Sequence, residues 1–389
     1  MVLTGLDRLE KAWPKELKGL RAGLLVHPAS VNRKLEHSLN VFLKSKKFRL
    51  KALFGPQHGI RGETQDNMVE WEGFRDPQTG LPVYSLYGHK RKPEPEMLKD
   101  IDVLAIDLQD IGSRYYTFIW TMELCMQACL ECNKSVVVLD RPNPLGGLAI
   151  EGAVLDMSFA SFVGQRPLPI RHAMTVGEIA NYLKNEFYPS LDLHIIKMQG
   201  WKRNMWFDQT KLPWVMPSPN MPTLDTAIVY PGMCLLEGTN LSEGRGTTRP
   251  FEIFGAPFIE PDILIKRLKA FKLSGIVFRP MSFQPTFQKH AGKLCGGAQI
   301  HVIDRNKFKP FKTGVTILKI IHDLYPEQFR WKEPPYEYEI EKMPIDILCG
   351  TGSIRKYIES GKSINEMEDW WREELNTFQK IRRKLLLYQ

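Results

Sequence analysis

The first half of the chain alternates short apolar runs with segments whose apolar residues recur at helical spacing. "RAGLLVHPAS" predicts a strand over 22–26, and "HSLNVFLKS" after it has the spacing of an amphipathic helix. "RLKALFG" predicts the next strand. Beyond a long polar loop, "PEPEMLKD" leads into the strand "DVLAIDLQ", a helix is predicted over 117–133, and "SVVVLDRPN" opens with another strand. In "TVGEIANYLKNEF", Thr175 and Glu178 bracket the first turn of a helix in a capping-box pattern. "LDLHIIKM" closes the series as a strand. Near-continuous apolar strands alternating with helices predict a parallel sheet covered on both faces, an α/β domain of Rossmann-like layout.

The texture changes near Asp225, where Pro, Gly and aromatic residues become frequent. A mixed pattern follows: "EPDILIKRLKAFKL" and "TGVTILKIIHDLYP" read as helices, "GIVFRPMSF" and "GAQIHVID" as strands. The closing "MEDWWREELNTFQKIRRKLLLYQ" reads as an amphipathic helix packed through Trp370, Leu375 and Phe378. A boundary at residue 226 divides the chain into 1–226 and 227–389, in line with the two domains that 389 residues predict.

Polar motifs follow the strands of the first half in a regular way. His27, Pro28 and Ser30 follow the first strand, and Gly55 to Gly62 the second. "DLQDIGSRYY" follows the third and "DRPNPLGG" the fourth. In an open parallel sheet these points share one edge, outside the carboxyl ends of the strands, where such folds bind ligands. No G-x-G-x-x-G joins the first strand to its helix and no P-loop is present, so a dinucleotide site is not expected.

A net charge of +9 favours anionic partners, but basic runs such as "KSKKFRLK" read as solvated faces. No zinc-finger or RNA-recognition signature accompanies them, so nucleic acid is not an expected partner. The N-terminus lacks a secretory pattern and no apolar stretch reaches the ~20 residues that span a bilayer, so the expectation is a cytoplasmic protein without membrane insertion. Cys125, Cys129 and Cys132 have the spacing of an iron–sulfur motif but fall on a predicted helix. There the outer two sulfurs stand roughly 10 Å apart, so buried thiols are expected instead of a cluster.

"FGPQHGIRG", "DLQDIGSRYYTF", "DRPNPLGG", "RHAMTVGE", "PWVMPSPNMP", "YPGMCLLEGTNLSEGRGTTRPFEIFGAP" and "CGGAQIHVID" occur in the order found in NamZ/YbbC-like proteins, which the chain resembles over nearly its whole length. That family contains exo-β-N-acetylmuramidases, glycoside hydrolases that release terminal N-acetylmuramic acid from peptidoglycan fragments. The resemblance implies a Rossmann-like N-terminal domain, a smaller α+β C-terminal domain, and an active-site cleft between them. It implies an amino-sugar or muropeptide ligand, and no metal or organic cofactor.

The chain departs from the family pattern at Gln57. The resembling muramidases usually carry Glu there, a leading catalytic candidate, whereas this chain keeps Pro56, His58, Gly59, Arg61 and Gly62 but substitutes the amide. An amide neither gives nor takes a proton at working pH. Three outcomes follow. The chemistry has moved to another acid, with Gln57 orienting the 2-acetamido group of the sugar; His58 serves as acid or base; or a non-catalytic sugar-binding protein remains.

The candidate acids are Asp107, Asp110, Glu237 and Glu243. Asp107 and Asp110 serve equally well as helix caps. Arg114 and Arg141 either clamp a lactyl carboxylate in bidentate fashion or pair with Asp107 or Asp140. Glu243 and Arg245 lie between glycines in "SEGRG", and Glu237 and Asn240 share "EGTN". Arg61 and Asn143, in the same motifs, complete the substrate-binding candidates with Tyr116, which with Tyr115 either stacks on a sugar or packs in the core. His172 reads as a structural histidine and Asn220 as a turn residue.

Overall fold

The computed structural model describes residues 1–62, 64, 68–362 and 371–389. Trp370, expected to anchor the last helix, lies outside them. Nine strands belong to the first part of the chain: β1 (Arg21–Val26), β2 (Arg49–Gly55), β3 (Phe74–Arg75), β4 (Pro82–Ser85), β5 (Val103–Asp107), β6 (Ser135–Leu139), β7 (Glu151–Val154), β8 (Pro169–Arg171) and β9 (Leu193–Ile196). Seven form one sheet in the order β3-β4-β2-β1-β5-β6-β9, parallel throughout except for the antiparallel edge β3. β7 and β8 pair separately as an antiparallel ribbon.

Strand alternation sends neighbouring side chains to opposite faces. Leu24, Val26, Leu53 and Val103 face one layer with Trp13, Phe42 and Phe48. Leu25, Phe54, Leu104 and Ile106 face the other, where the helices Phe118–Glu131 and Val176–Phe187 cover them. Burial on both sides is the physical reason these strands read as unbroken apolar runs. The capping box at Thr175 is formed: Glu178 N–H donates to the Thr175 hydroxyl at 3.2 Å, and Thr175 N–H donates to the Glu178 carboxylate at 3.0 Å. The helix Phe118–Glu131 buries Cys125 and Cys129 as free thiols.

The second part builds a three-stranded antiparallel sheet from β10 (Ile253–Ala256), β11 (Ile276–Phe283) and β12 (Cys295–Val302), in the order β10-β12-β11. The helix Pro261–Lys269 packs on β11 and β12, and the helix Pro310–Leu324 packs on that helix in turn. Its apolar residues Phe254, Ile300, Leu318 and Ile347 join Leu25, Phe54 and Ile106 in one continuous core. The helix Leu224–Met233 runs across residue 226, and the final helix, Arg372–Leu385, returns to the first half. There Arg382 donates to the Ala173 carbonyl at 2.8 Å, and the Tyr388 hydroxyl donates to the Asp140 carboxylate. Residue 226 lies between the two main sheets, and the final helix, from the second part of the chain, packs on the first. Among the described residues, no helix is long and apolar enough to cross a membrane.

Candidate active site

Loops from both halves enclose a small cavity beyond the carboxyl ends of β2 and β5. After β2 the chain turns sharply, with His58 at a φ of 69° and Gly59 at 79°. Gln57 and His58 line the cavity together with Tyr115, Tyr116 and Thr117, which follow β5. The second half contributes Tyr230, Glu237, Arg245 and Phe251, and the turn 336–339 contributes Tyr336 and Glu337. Tyr338 is 38% exposed whereas Glu337 is 4% exposed, so this turn is the outer wall. Glu337 and Tyr338 both adopt left-handed backbone, at φ of 45° and 68°. Such conformations cost on the order of 1–3 kcal/mol each and collect at functional sites. The volume is about 40 Å³, against about 300–1,000 Å³ for ordinary ligand pockets. The cleft expected between the halves is thus a narrow chamber in this conformation.

Two carboxyls in the wall occupy opposed environments. Glu237 accepts from Arg245 Nη2 at 2.6 Å and from the Tyr336 hydroxyl at 2.7 Å. Burial would push its carboxyl up, but Arg245 and the Tyr336 hydrogen bond more than reverse this, and the net direction is down. Around Glu337 the charges of Arg245 and Lys332 pull the carboxyl down but do not outweigh burial. Burial pushes its carboxyl up to about 7, reinforced by the charge of Glu237 and opposed by the Tyr87 hydrogen bond. Glu237 is therefore a carboxylate at neutral pH while Glu337 is poised between acid and base.

Gln57 sits at the head of a hydrogen-bonded chain that ends on Glu337. The Thr117 hydroxyl donates to Gln57 Oε1 at 2.8 Å, and Gln57 Nε2 donates to the Tyr87 oxygen at 3.0 Å. Met68 N–H also donates to that oxygen at 3.1 Å. With both lone pairs of the phenol used, its single proton goes to Glu337 Oε2, 3.0 Å away. A proton held by Glu337 accordingly resides on Oε1. His58 Nδ1 lies 2.8 Å from the Thr64 carbonyl, which fixes the proton on Nδ1 in the neutral ring and leaves the lone pair on Nε2.

The family described as "Exo-beta-N-acetylmuramidase NamZ" matches through its N-terminal part over residues 22–225 and its C-terminal part over 228–388. The chain is 48% identical over 387 residues to "Peptidoglycan beta-N-acetylmuramidase NamZ" of Bacillus subtilis (strain 168), covering 100% of this chain and 91% of that protein. This chain belongs to the NamZ family. Two solved DUF1343 family proteins from Bacteroides fragilis NCTC 9343 share its fold, with TM-scores of 0.89 and 0.78 at 37% and 30% identity. Each comparison covers 100% of this chain and 99% of the other.

Against this NamZ-family fold, the residues singled out in the sequence divide sharply. Gln57, His58, Tyr116, Glu237 and Arg245 meet at the cavity, and so do Tyr115 and Asn220. Glu243 stands behind it, bound to Arg245 Nε at 3.2 Å and to Lys289 at 2.9 Å, where it holds Arg245 in place. Asp107 is fully buried against Arg141, which donates from Nη2 at 2.7 Å, and Ser38; neither residue of this pair lines the cavity. Arg114, read from the sequence as either a carboxylate clamp or the partner of an aspartate, donates instead to the carbonyls of Ala153, Leu168 and Leu348 at 3.0, 3.1 and 2.7 Å. It ties the β7–β8 ribbon to the end of the helix Pro344–Cys349.

The remaining candidates serve local structure. Asn143 bridges the Met174 carbonyl and Leu145 N–H, and Asn240 bridges Gln328 and Arg330. Asp110 accepts from Gly112 N–H and faces His172 at 3.4 Å. Arg61 pairs with Asp76 at 2.7 Å. Glu337, Tyr336 and Tyr87 were missed. In "EPPYEYEIEK" nothing marks Glu337 apart from its neighbours Glu333, Glu339 and Glu341. Only the closure of this turn over Gln57 distinguishes it. A groove of about 840 Å³ elsewhere, between Leu145–Glu151, Arg305–Lys309 and the last helix, is lined by none of the candidate residues.

Proposed function

We propose that this chain is a glycoside hydrolase that releases terminal N-acetylmuramic acid, or a closely related amino sugar, from peptidoglycan fragments, with Glu337 as its general acid. The similarity to the Bacillus subtilis enzyme along the full chain supports the reaction class. The observation that carries the assignment of Glu337 is the pair of carboxyls in one cavity, one held ionised and the other raised to about 7. Glycosidic cleavage needs a proton for the leaving oxygen and a negative charge or nucleophile near the anomeric carbon. Pairs of titratable groups driven apart by their environments assign those two roles.

Glu337 supplies the proton, and Tyr87, held by Gln57, fixes which oxygen carries it. Glu237 faces the cationic character that builds on the sugar ring, while Arg245 and Tyr336 keep it ionised and stationary. A 2-acetamido group can attack the anomeric carbon itself, so a second nucleophilic carboxylate is not required. Gln57 then acts through Tyr87 as a positioning residue, which explains how an amide is tolerated at the motif position.

The test compares two muramides in the Glu337→Gln variant. With a sugar leaving group, kcat/KM falls by about 10²–10⁴-fold, the usual contribution of a positioned acid. With a nitrophenyl leaving group, which departs without protonation, the loss is much smaller. Equal losses on both substrates overturn the assignment. Ligand binding without turnover in the unaltered protein favours the non-catalytic sugar-binding reading that Gln57 raises.

A further inference from the structure

A second depression, of about 570 Å³, opens on the far side of the wall that contains Glu337. Its lining includes His89, Lys90, Arg91, Lys92, Phe162 and Gln165. Only one layer of rings separates it from the chamber. Tyr87, which donates to Glu337, lies 5.9 Å from Phe162 and 5.7 Å from Tyr338, and those two rings are 6.1 Å apart. Val163, next to Phe162, lines the chamber itself. The Arg91 guanidinium lies 4.0 Å over the Tyr338 ring and 5.5 Å over Phe162, so cation–π contacts close the layer from outside.

Charge and position identify what the depression takes. Three successive cations line it against one carboxylate, Glu94. Lys90 contacts Glu94 and Lys92 contacts Glu131 at 2.6 Å, but these are exposed pairs that a bound anion displaces at little cost. A general acid stands beside the leaving oxygen, so the leaving part of the substrate extends from the acid's side of the bond. Lys90, Arg91 and Lys92 offer partners to a carboxylate, with Arg91 held in place over the Tyr338 and Phe162 rings. We infer that this groove is a leaving-group subsite that binds a carboxylate-bearing portion of the glycan beyond the scissile bond. The inference rests on the proposed hydrolysis and adds a preference to it: fragments whose leaving portion carries a free carboxylate are cleaved better than matched neutral ones.

The experiment uses the full chain and two glycan fragments longer than a disaccharide, identical except that the lactyl carboxylate in the leaving portion is free in one and a methyl ester in the other. The readout is the ratio of kcat/KM for the free acid over the ester. In the unaltered protein this ratio exceeds one and shrinks as salt is raised. In Lys90→Glu/Lys92→Glu it falls on the order of tenfold, mainly through KM. Lys44→Glu, a charge reversal at a remote exposed lysine, leaves the ratio as it was. A ratio near one in the unaltered protein, or the same ratio in the groove variant, overturns the subsite. Failure of the unaltered protein to cleave either fragment overturns the hydrolase reading instead.

Discussion

Replacing Glu337 by Gln tests the environment of the proposed acid without any substrate. The folded protein holds this carboxyl at about 7 against an ordinary 4.5. That difference corresponds to about 3 kcal/mol of stability linked to protonation. The sign follows from proton counting. Between about pH 4.5 and 7 the folded state keeps a proton that the unfolded state has lost, so this group's contribution declines as pH rises across that window. Above it, the folded protein carries the whole cost of a buried carboxylate. The amide variant accepts the same Tyr87 hydrogen bond but never ionises. It is therefore more stable than the parent by about 3 kcal/mol near pH 8.5 and nearly equal to it near pH 4. Asp140, raised to about 6 by burial, tilts both proteins in the same direction and cancels in the difference. Chemical denaturation of parent and variant at the two pH values measures the effect. A stability difference that does not change with pH refutes the raised carboxyl and, with it, the reason for choosing Glu337.

Two further substitutions probe the supporting structure. Arg245→Met leaves Glu237 and part of the Glu243 shell buried without a cation, which destabilises the protein by about 3–5 kcal/mol. It also pushes the Glu237 carboxyl up, so the acidic limb of the kcat/KM profile moves to higher pH; a profile that stays in place would detach Glu237 from the chemistry. Arg114→Ala strips donors from three buried carbonyls and lowers stability by at least about 3 kcal/mol, read as a drop in Tm. Whatever variant folds shows the same KM change for acidic and neutral ligands; a selective loss of the acidic one would restore Arg114 as a clamp.

The sheet was legible because β1, β5, β6 and the second half of β2 are buried on both faces, and the apolar runs that burial requires stand out without any knowledge of partners; the partly buried edge strand β9 kept enough of such a run to be read. β3, β4, β7 and β8 were not. They are two to four residues long and two of them begin with Pro82 and Pro169, so none carries an apolar run long enough to stand out. The site was half legible for a related reason. Gln57, His58 and Tyr116 follow strands of the parallel sheet, where position alone points to ligands. Arg141 and Asp107 follow strands too, yet their side chains turn to each other, and no spacing rule distinguishes a clamp from a structural pair. Glu337 lies 280 residues from Gln57 in the chain. Its role depends on a long-range closure that leaves no local mark.

The return of the last helix to the first half has a mechanical consequence. The two halves are strapped together twice, once where the chain crosses near residue 226 and again where Arg382 and Tyr388 fasten the C-terminal end. A clamshell motion would have to tear the apolar interior they share. On the proposed hydrolase reading, entry of a sugar then falls to the turn bearing Glu337, so the wall that must yield to the substrate is the one that carries the acid.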